Sequence, residues 1–205
     1  MAAVPGDATD EMLMVRYQRG ERKAFVELVR RHNRPIYNFV LRQLRMPSLA
    51  EDVTQDVFMR LVQNAAEFKH EARFSTWLYT IARNLCIDQL RKLSHRRHAS
   101  LDQREGNQPD AQLLGETISD PSPLSSAEHN ALSSEVRSSI VRAVDSLPDD
   151  QREVFLLREV ASLPFRDIAE ITGVGENTVK SRMRYALDRL KDALSDFEEY
   201  ARALR

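Results

Sequence analysis

From Asp10 to Leu93 apolar residues return every three or four positions, with almost no period-two alternation, which predicts helices rather than strands. "DEMLMVRYQRG" reads as a short helix stopped at Gly20, the residue type that best tolerates a left-handed C-terminal cap. "ERKAFVELVRRHNRPIYNFVLRQL" continues as a longer helix, bent where Pro35 removes a backbone donor. "SLAEDVTQDVFMRLV" opens on Ser48 with Glu51 three residues later, the arrangement of a capping box. "STWLYTIARNLCIDQLRKL" starts from Ser75 or Thr76 as cap and runs to about Leu93. The pattern then breaks. Between Ala99 and Ser134 stand Gly106, Gly115, Pro109, Pro121 and Pro123 among many polar residues, and helical periodicity returns only afterwards.

The expected fold class is therefore all-α, with two small helical domains and a flexible acidic linker. After a disordered N-terminus (residues 1–9) come an N-terminal helical bundle at 10–98, the linker at 99–134 and a C-terminal helix-turn-helix bundle at 135–205. The linker carries Asp102, Glu105, Asp110, Glu116, Asp120 and Glu128 against Arg104, a net charge of −5.

Composition narrows the function classes. The formal net charge of −1 over 205 residues argues against a generally adhesive nucleic-acid binder, so charge distribution matters more than its sum. A single cysteine, Cys86, supports neither a disulfide framework nor a cysteine-rich zinc site, and fits a reducing cytoplasm. The start lacks a basic stretch followed by a long apolar core, and no segment approaches the ~18 apolar residues of a membrane span. A cytoplasmic protein without membrane insertion is expected. His32, His70, His95, His98 and His129 show no metal-ligand spacing and read as solvated or phosphate-facing. With no nucleophile constellation or phosphate loop, no catalytic residue, metal or cofactor is expected.

Near the C-terminus, "PFRDIAEIT" groups Phe165, Ile168, Ala169 and Ile171 on one side, Gly173 allows a sharp turn, and Glu176 opens a second helix. This is the helix-turn-helix outline. Stepping about 100° per residue from Val179 places Met183, Ala186, Leu187, Leu190 and Leu194 on its side. Asn177, Lys180, Ser181, Arg184, Asp188 and Lys191 fall opposite. Amide, hydroxyl and cationic groups in the first turns of such a helix can reach base edges and phosphates in a major groove. Arg182 holds a position often apolar in such motifs, so Met183 must supply the packing.

From Lys69 to His98, Lys69, Arg73, Arg83, Arg91, Lys92, Arg96 and Arg97 stand against Glu71 and Asp88. Trp77, Thr80 and Asn84 share a helix edge, and Phe68, Phe74 and Tyr79 lie close by. Aromatics beside cations suit single-stranded nucleic acid, since each base offers a face to stack and each nucleotide a charge to neutralise. Phe74 and Tyr79 are also expected to be largely core, with Trp77 at its boundary.

In order, "AFVELVRRHNRPIYNFV", "AEDVTQDVFMRLV", "FSTWLYTIARNLCIDQLRK", a variable linker, "LPDDQREVFLLREV" and "FRDIAEITGVGENTVKSRMRYALDRL" resemble the bacterial extracytoplasmic-function (ECF) sigma factors, over roughly residues 10–95 and 135–197. The resemblance implies a dissociable specificity subunit of RNA polymerase that directs transcription initiation, often in response to stress, and is not itself an enzyme. It implies that Asp52, Gln55, Asp56 and Met59, with Arg60 at the edge, bind a coiled coil of the polymerase largest subunit, and that the polymerase flap is a further partner. It places the melted −10 promoter element on Lys69, His70, Glu71, Ala72, Arg73 and Phe74, with Asn84, Trp77 and Thr80 at a flipped base and Arg83, Arg91, Lys92, Arg96 and Arg97 along phosphates. It places the duplex −35 element on Asn177, Thr178, Lys180, Ser181, Arg184 and Tyr185, with Arg158 on a phosphate. An anti-sigma factor wedged between the domains is a further implication, as is a linker that either imitates RNA in the polymerase exit channel or only spaces the domains. So is a free protein whose domains are not held in register. The alternative from another class is a stand-alone DNA-binding regulator, for which residues 135–205 alone suffice.

Overall fold

The computed structural model describes residues 8–69, 73–101 and 127–195. Among them the chain forms α1 (Asp10–Gln18), α2 (Arg22–Leu44), α3 (Pro47–Gln63), a short 3-10 turn (Ala65–Glu67), α4 (Phe74–Leu101), α5 (Ala127–Ser146), α6 (Asp149–Glu159), α7 (Phe165–Thr172) and α8 (Glu176–Ala193). Helices α4 and α5 run into both ends of the expected linker, and its residues 102–126 lie outside the described part.

The N-terminal bundle packs α1–α4 around Met14, Leu28, Ile36, Phe39, Leu61, Phe74, Leu78 and Tyr79, all fully or almost fully buried. Phe39 and Tyr79 meet edge to face with ring centroids 5.3 Å apart, a geometry favoured by the ring quadrupole. Helix α2 continues through Pro35 as an α-helix and ends at Arg45, whose left-handed φ of 58° closes it. The expected Ser48 cap is not made. Helix α3 starts on Pro47, with its N-cap at Met46, two residues before Ser48, and no side-chain cap bond, because proline at the first helical position has no donor to satisfy. Ser75 and Thr76 do not cap α4 either. The helix begins at Phe74, whose N–H donates to Glu11 Oε1 of α1 at 2.9 Å.

The C-terminal bundle packs α5–α8 around Val154, Leu156, Leu157, Leu163, Ile168, Val179 and Ala186. Gly173 ends α7 in the left-handed region at φ 71°, as the sequence predicts, and Gly175 starts α8. Met183 is buried, whereas Arg182 reaches Asp150 of α6 with its Nε at 3.0 Å. One expectation needs correction: Leu187, assigned to the inner stripe, is 48% exposed, because α6 and α7 cover a narrower sector of α8 than the apolar positions span.

The two bundles touch directly. Arg83 Nε of α4 donates to Glu153 Oε1 of α6 at 2.8 Å, and Thr76 Oγ1 donates to Asp167 Oδ2 of α7 at 2.7 Å. Arg42 Nη1 of α2 donates to Asp145 Oδ2 of α5 at 3.3 Å, and Arg45 Nη2 donates to the Asp145 carbonyl. A cavity of about 330 Å³ lies between the bundles, bounded by Phe39, Gln43, Arg83 and Cys86 on one side and by Asp149, Glu153, Thr172 and Val174 on the other. The tether is therefore not the sole connection between them.

Candidate nucleic-acid interface

Helix α8 presents a buried apolar stripe and an exposed polar one, Leu187 excepted. Val179, Met183, Ala186 and Leu190 are buried, whereas Asn177, Thr178, Lys180 and Arg184 are exposed, Tyr185 is half-exposed and Ser181 is partly so. Lys180 Nζ reaches Glu176 Oε1 at 2.7 Å, one turn back. The guanidinium carbon of Arg184 lies 5.2 Å from the centroid of the Tyr185 ring. Contact of this kind with a ring face does not use up the N–H groups of the guanidinium. The helix thus offers donors in its first turns beside a glycine turn that keeps the preceding helix clear.

Arg158 is less free than the sequence suggests. Its Nη1 donates to the Leu163 carbonyl at 2.9 Å, and its guanidinium carbon sits 4.9 Å from the Phe165 ring centroid. The side chain ties α6 to the turn before α7. Arg152, which pattern reading missed, is buried and donates to the Leu147 carbonyl at 3.0 Å and Asp149 Oδ1 at 2.7 Å.

In the N-terminal bundle, Lys69 and Arg73 are exposed at the two edges of a short stretch, while His70, Glu71 and Ala72 lie outside the described residues. Phe74 lies in the core, as its aromatic side chain led us to expect. It is fully buried, in contact distance of Phe68 (ring centroids 5.9 Å) and Trp77 (6.3 Å), and so is not exposed for a base to stack on. Trp77 sits at the boundary, 5.2 Å from Phe68. Asn84 is exposed on the same edge, and the Thr80 hydroxyl donates to the Thr76 carbonyl at 2.8 Å. Arg83 is held by Glu153, whereas Arg91 and Lys92 are exposed and Arg91 lies 3.7 Å from Asp88. The side chains of Arg96 and Arg97 lie outside the described part.

His32 also departs from expectation. Rather than facing solvent, its Nε2 lies 2.7 Å from Asp10 Oδ2 and its ring 5.2 Å from Phe74. Burial alone would raise the Asp10 pKa, but the His32 hydrogen bond and charge, with Arg31 at 2.9 Å, outweigh it and hold the carboxyl below its ordinary value. No local signal reveals this, since Asp10 and His32 meet only through packing of α1 on α2. The other histidines are His70, outside the described part, His95, which is exposed, and His98 and His129, whose side chains are not described.

On α3, Asp52, Gln55, Asp56, Met59 and Arg60 are all exposed, and Val53, Thr54, Val57, Phe58 and Leu61 are buried behind them. All five sequence-derived residues thus share one face. A groove beside it is lined by Asp56, Met59, Arg60 and Gln63 of α3 with Leu85, Asp88, Gln89 and Lys92 of α4. Among the described residues no helix is long and apolar enough to cross a membrane.

Comparison with known proteins accounts for both halves. Sigma-70 region 2 matches residues 28–96, and Sigma-70 region 4 matches residues 137–190. The ECF RNA polymerase sigma factor SigW of Bacillus subtilis is 31% identical over 181 residues, 87% of this chain and 93% of that protein. The ECF RNA polymerase sigma-E factor of Escherichia coli K12 is 33% identical over 184 residues, 88% of this chain and 93% of that protein. Among solved structures, the sigma factor RpoE in complex with the anti-sigma factor NepR from Bartonella quintana is similar with TM-score 0.63 and 25% identity, covering 84% of this chain and 98% of that one. CnrH in complex with the cytosolic domain of CnrY shares the fold at TM-score 0.63 and 19% identity, over 91% of this chain and 97% of that one. A stand-alone regulator is disfavoured, because the matches extend through the N-terminal bundle that it does not need. The chain belongs to the ECF RNA polymerase sigma factors.

Proposed function

We propose a division of labour among three surfaces of this sigma factor, which directs promoter-specific initiation through −10 and −35 recognition. The exposed face of α3 (Asp52, Gln55, Asp56, Met59, Arg60) docks on core polymerase. Lys69, Arg73 and the stretch between them read the melted −10 strand, with Trp77, Thr80 and Asn84 at a base and Arg83, Arg91 and Lys92 following phosphates. The N-terminal half of α8 reads the −35 duplex, with Arg184 as its main base reader and Arg158 on the backbone.

The observation that carries this reading is the stripe of donors on α8 opposite a buried apolar stripe, placed directly after the left-handed Gly173 turn. Arg184, pre-oriented on Tyr185, suits a bidentate contact with a guanine edge. The protein acts without catalytic groups of its own, in the cytoplasm, and binds an anti-sigma factor, as the sigma factor RpoE does in the similar complex with NepR.

The test uses holoenzyme on promoters with single −35 substitutions. Arg184→Ala should lose about 1–3 kcal/mol of discrimination at one base pair. Lys180→Ala should weaken all sequences alike and lower the salt slope by about one. Equal weakening of every promoter by Arg184→Ala would remove it as a base reader.

A further inference from the structure

The C-terminal bundle lies over part of the α4 edge assigned to the −10 strand. Thr76, Thr80 and Arg83 fall along that edge at helical spacing, and two of the three meet carboxylates of the other bundle. Glu153 of α6 takes Arg83 at 2.8 Å and leaves its side chain largely buried. Asp167 of α7 accepts from the Thr76 hydroxyl at 2.7 Å, and its Oδ2 lies 3.8 Å from Arg73 Nε. A carboxylate offers a guanidinium the same paired acceptor oxygens as a phosphate, so Glu153 supplies Arg83 with what a DNA strand would. The −35 stripe is in the opposite condition. Asn177, Thr178, Lys180 and Arg184 are exposed, and the contacts of Lys180 with Glu176 and of Arg184 with Tyr185 stay within α8.

We infer that the closed arrangement is a half-competent state: with the bundles together the protein can bind a −35 duplex, while Glu153 and Asp167 hold the −10 groups Arg83, Thr76 and Arg73 in place of a DNA strand. Reading both elements at once requires opening. Elements centred at −10 and −35 lie about 85 Å apart along B-DNA, at roughly 3.4 Å per base pair, a distance that two bundles in direct contact cannot span. A strand that needs Arg83 competes with Glu153 for it, and its apparent affinity falls with the fraction of molecules that are open. A −35 duplex meets its stripe in either arrangement and incurs no such loss. Capture of the −10 strand therefore waits on opening, and docking on the −35 duplex does not. The inference rests on the assignment of Arg83 to the −10 strand.

The test uses the full-length protein without polymerase and two fluorescent probes from a promoter that the holoenzyme selects out of a randomised library: its single-stranded −10 segment and its −35 duplex. Glu153→Ala with Asp167→Ala should tighten binding of the −10 strand about tenfold or more, the scale on which loss of charge-assisted bonds raises the open fraction. Binding of the −35 duplex should stay within about twofold, since its stripe is exposed in both forms. Asp145→Ala frees Arg42 at a distance from this edge and should also tighten the −10 strand, with both carboxylates still present. Glu170→Ala removes a charge from the exposed side of α7. It controls for reduced repulsion of DNA and should change neither probe. Unchanged −10 binding in the double variant or in Asp145→Ala, each shown folded by circular dichroism, overturns the inference. An equal gain in Glu170→Ala or on the −35 duplex overturns it as well. Arg83→Ala, added to the double variant, separates the two levels. If −10 binding stays as strong, the assignment of Arg83 fails and takes the inference with it. If −10 binding weakens while the carboxylate variants gain nothing, the half-competent closed state alone fails.

Discussion

The contact between the bundles gives the prediction that can be worked furthest. Arg83 and Glu153 form a two-point ion pair, Nε to Oε1 at 2.8 Å and Nη2 to Oε2 at 3.5 Å, with side chains only 20% and 15% exposed. A hydrogen bond to a charged group in such a site contributes about 1.5–3 kcal/mol. Removing it by Glu153→Ala should therefore raise the equilibrium constant for separation of the bundles about 12- to 150-fold, at about 1.4 kcal/mol per factor of ten. Cys86 reports this directly. It is the single cysteine, it is 2% exposed, and it lines the cavity between the bundles. Burial, with a smaller contribution from the Glu153 charge, pushes its thiol up to about 12, so the closed form is nearly inert to disulfide reagents. When opening is fast relative to reaction, the labelling rate follows the open population. Glu153→Ala should accelerate labelling by the factor above, and Asp145→Ala, which frees Arg42 without touching the thiol's surroundings, should accelerate it as well. Wild-type rates in both variants would refute the idea that these ion pairs hold the bundles together over Cys86.

Other expectations follow from single residues. Gly173→Ala places no atom within 4 Å of its new Cβ but forces φ 71° on an L-residue, so it should cost about 1–2 kcal/mol in denaturant unfolding, with Gly173→Asn costing less. Phe39→Ala, at a fully buried ring, should cost about 3–5 kcal/mol by the same measurement. The Asp10 pKa is lowered in the folded state, so its contribution to stability is full above its unfolded value, about 3.9, and is lost as pH falls through the lower folded value. Acid unfolding followed by circular dichroism should show a shallower acid limb in Asp10→Asn than in the wild type.

What the sequence made legible is what local patterning controls. The Gly173 turn and most of the two stripes of α8 follow from residues within a few turns of one another, whereas the α3 quintet is singled out only through the family resemblance. What escaped it depends on partners far along the chain. Thr76 looked like a helix cap, yet its hydroxyl bonds Asp167, 91 residues away. Arg83 looked like a free phosphate ligand, yet Glu153, 70 residues away, holds it in the closed arrangement. Phe74 could be read as a stacking platform or as core, and packing of α1 and α2 decides for core. Glu11 and Gln18 of α1 carried no recognisable motif, yet Glu11 accepts from the Phe74 N–H and Gln18 donates to the Ala65 and Phe68 carbonyls.

The account stands most directly on binding to core bacterial RNA polymerase, measured by co-elution of the purified full-length chain at moderate salt without DNA. It predicts a stoichiometric complex that Asp52→Lys with Asp56→Lys on the exposed face of α3 weakens strongly. Failure to bind core, with a symmetric dimer of the chain occupying a palindromic duplex instead, would contradict it.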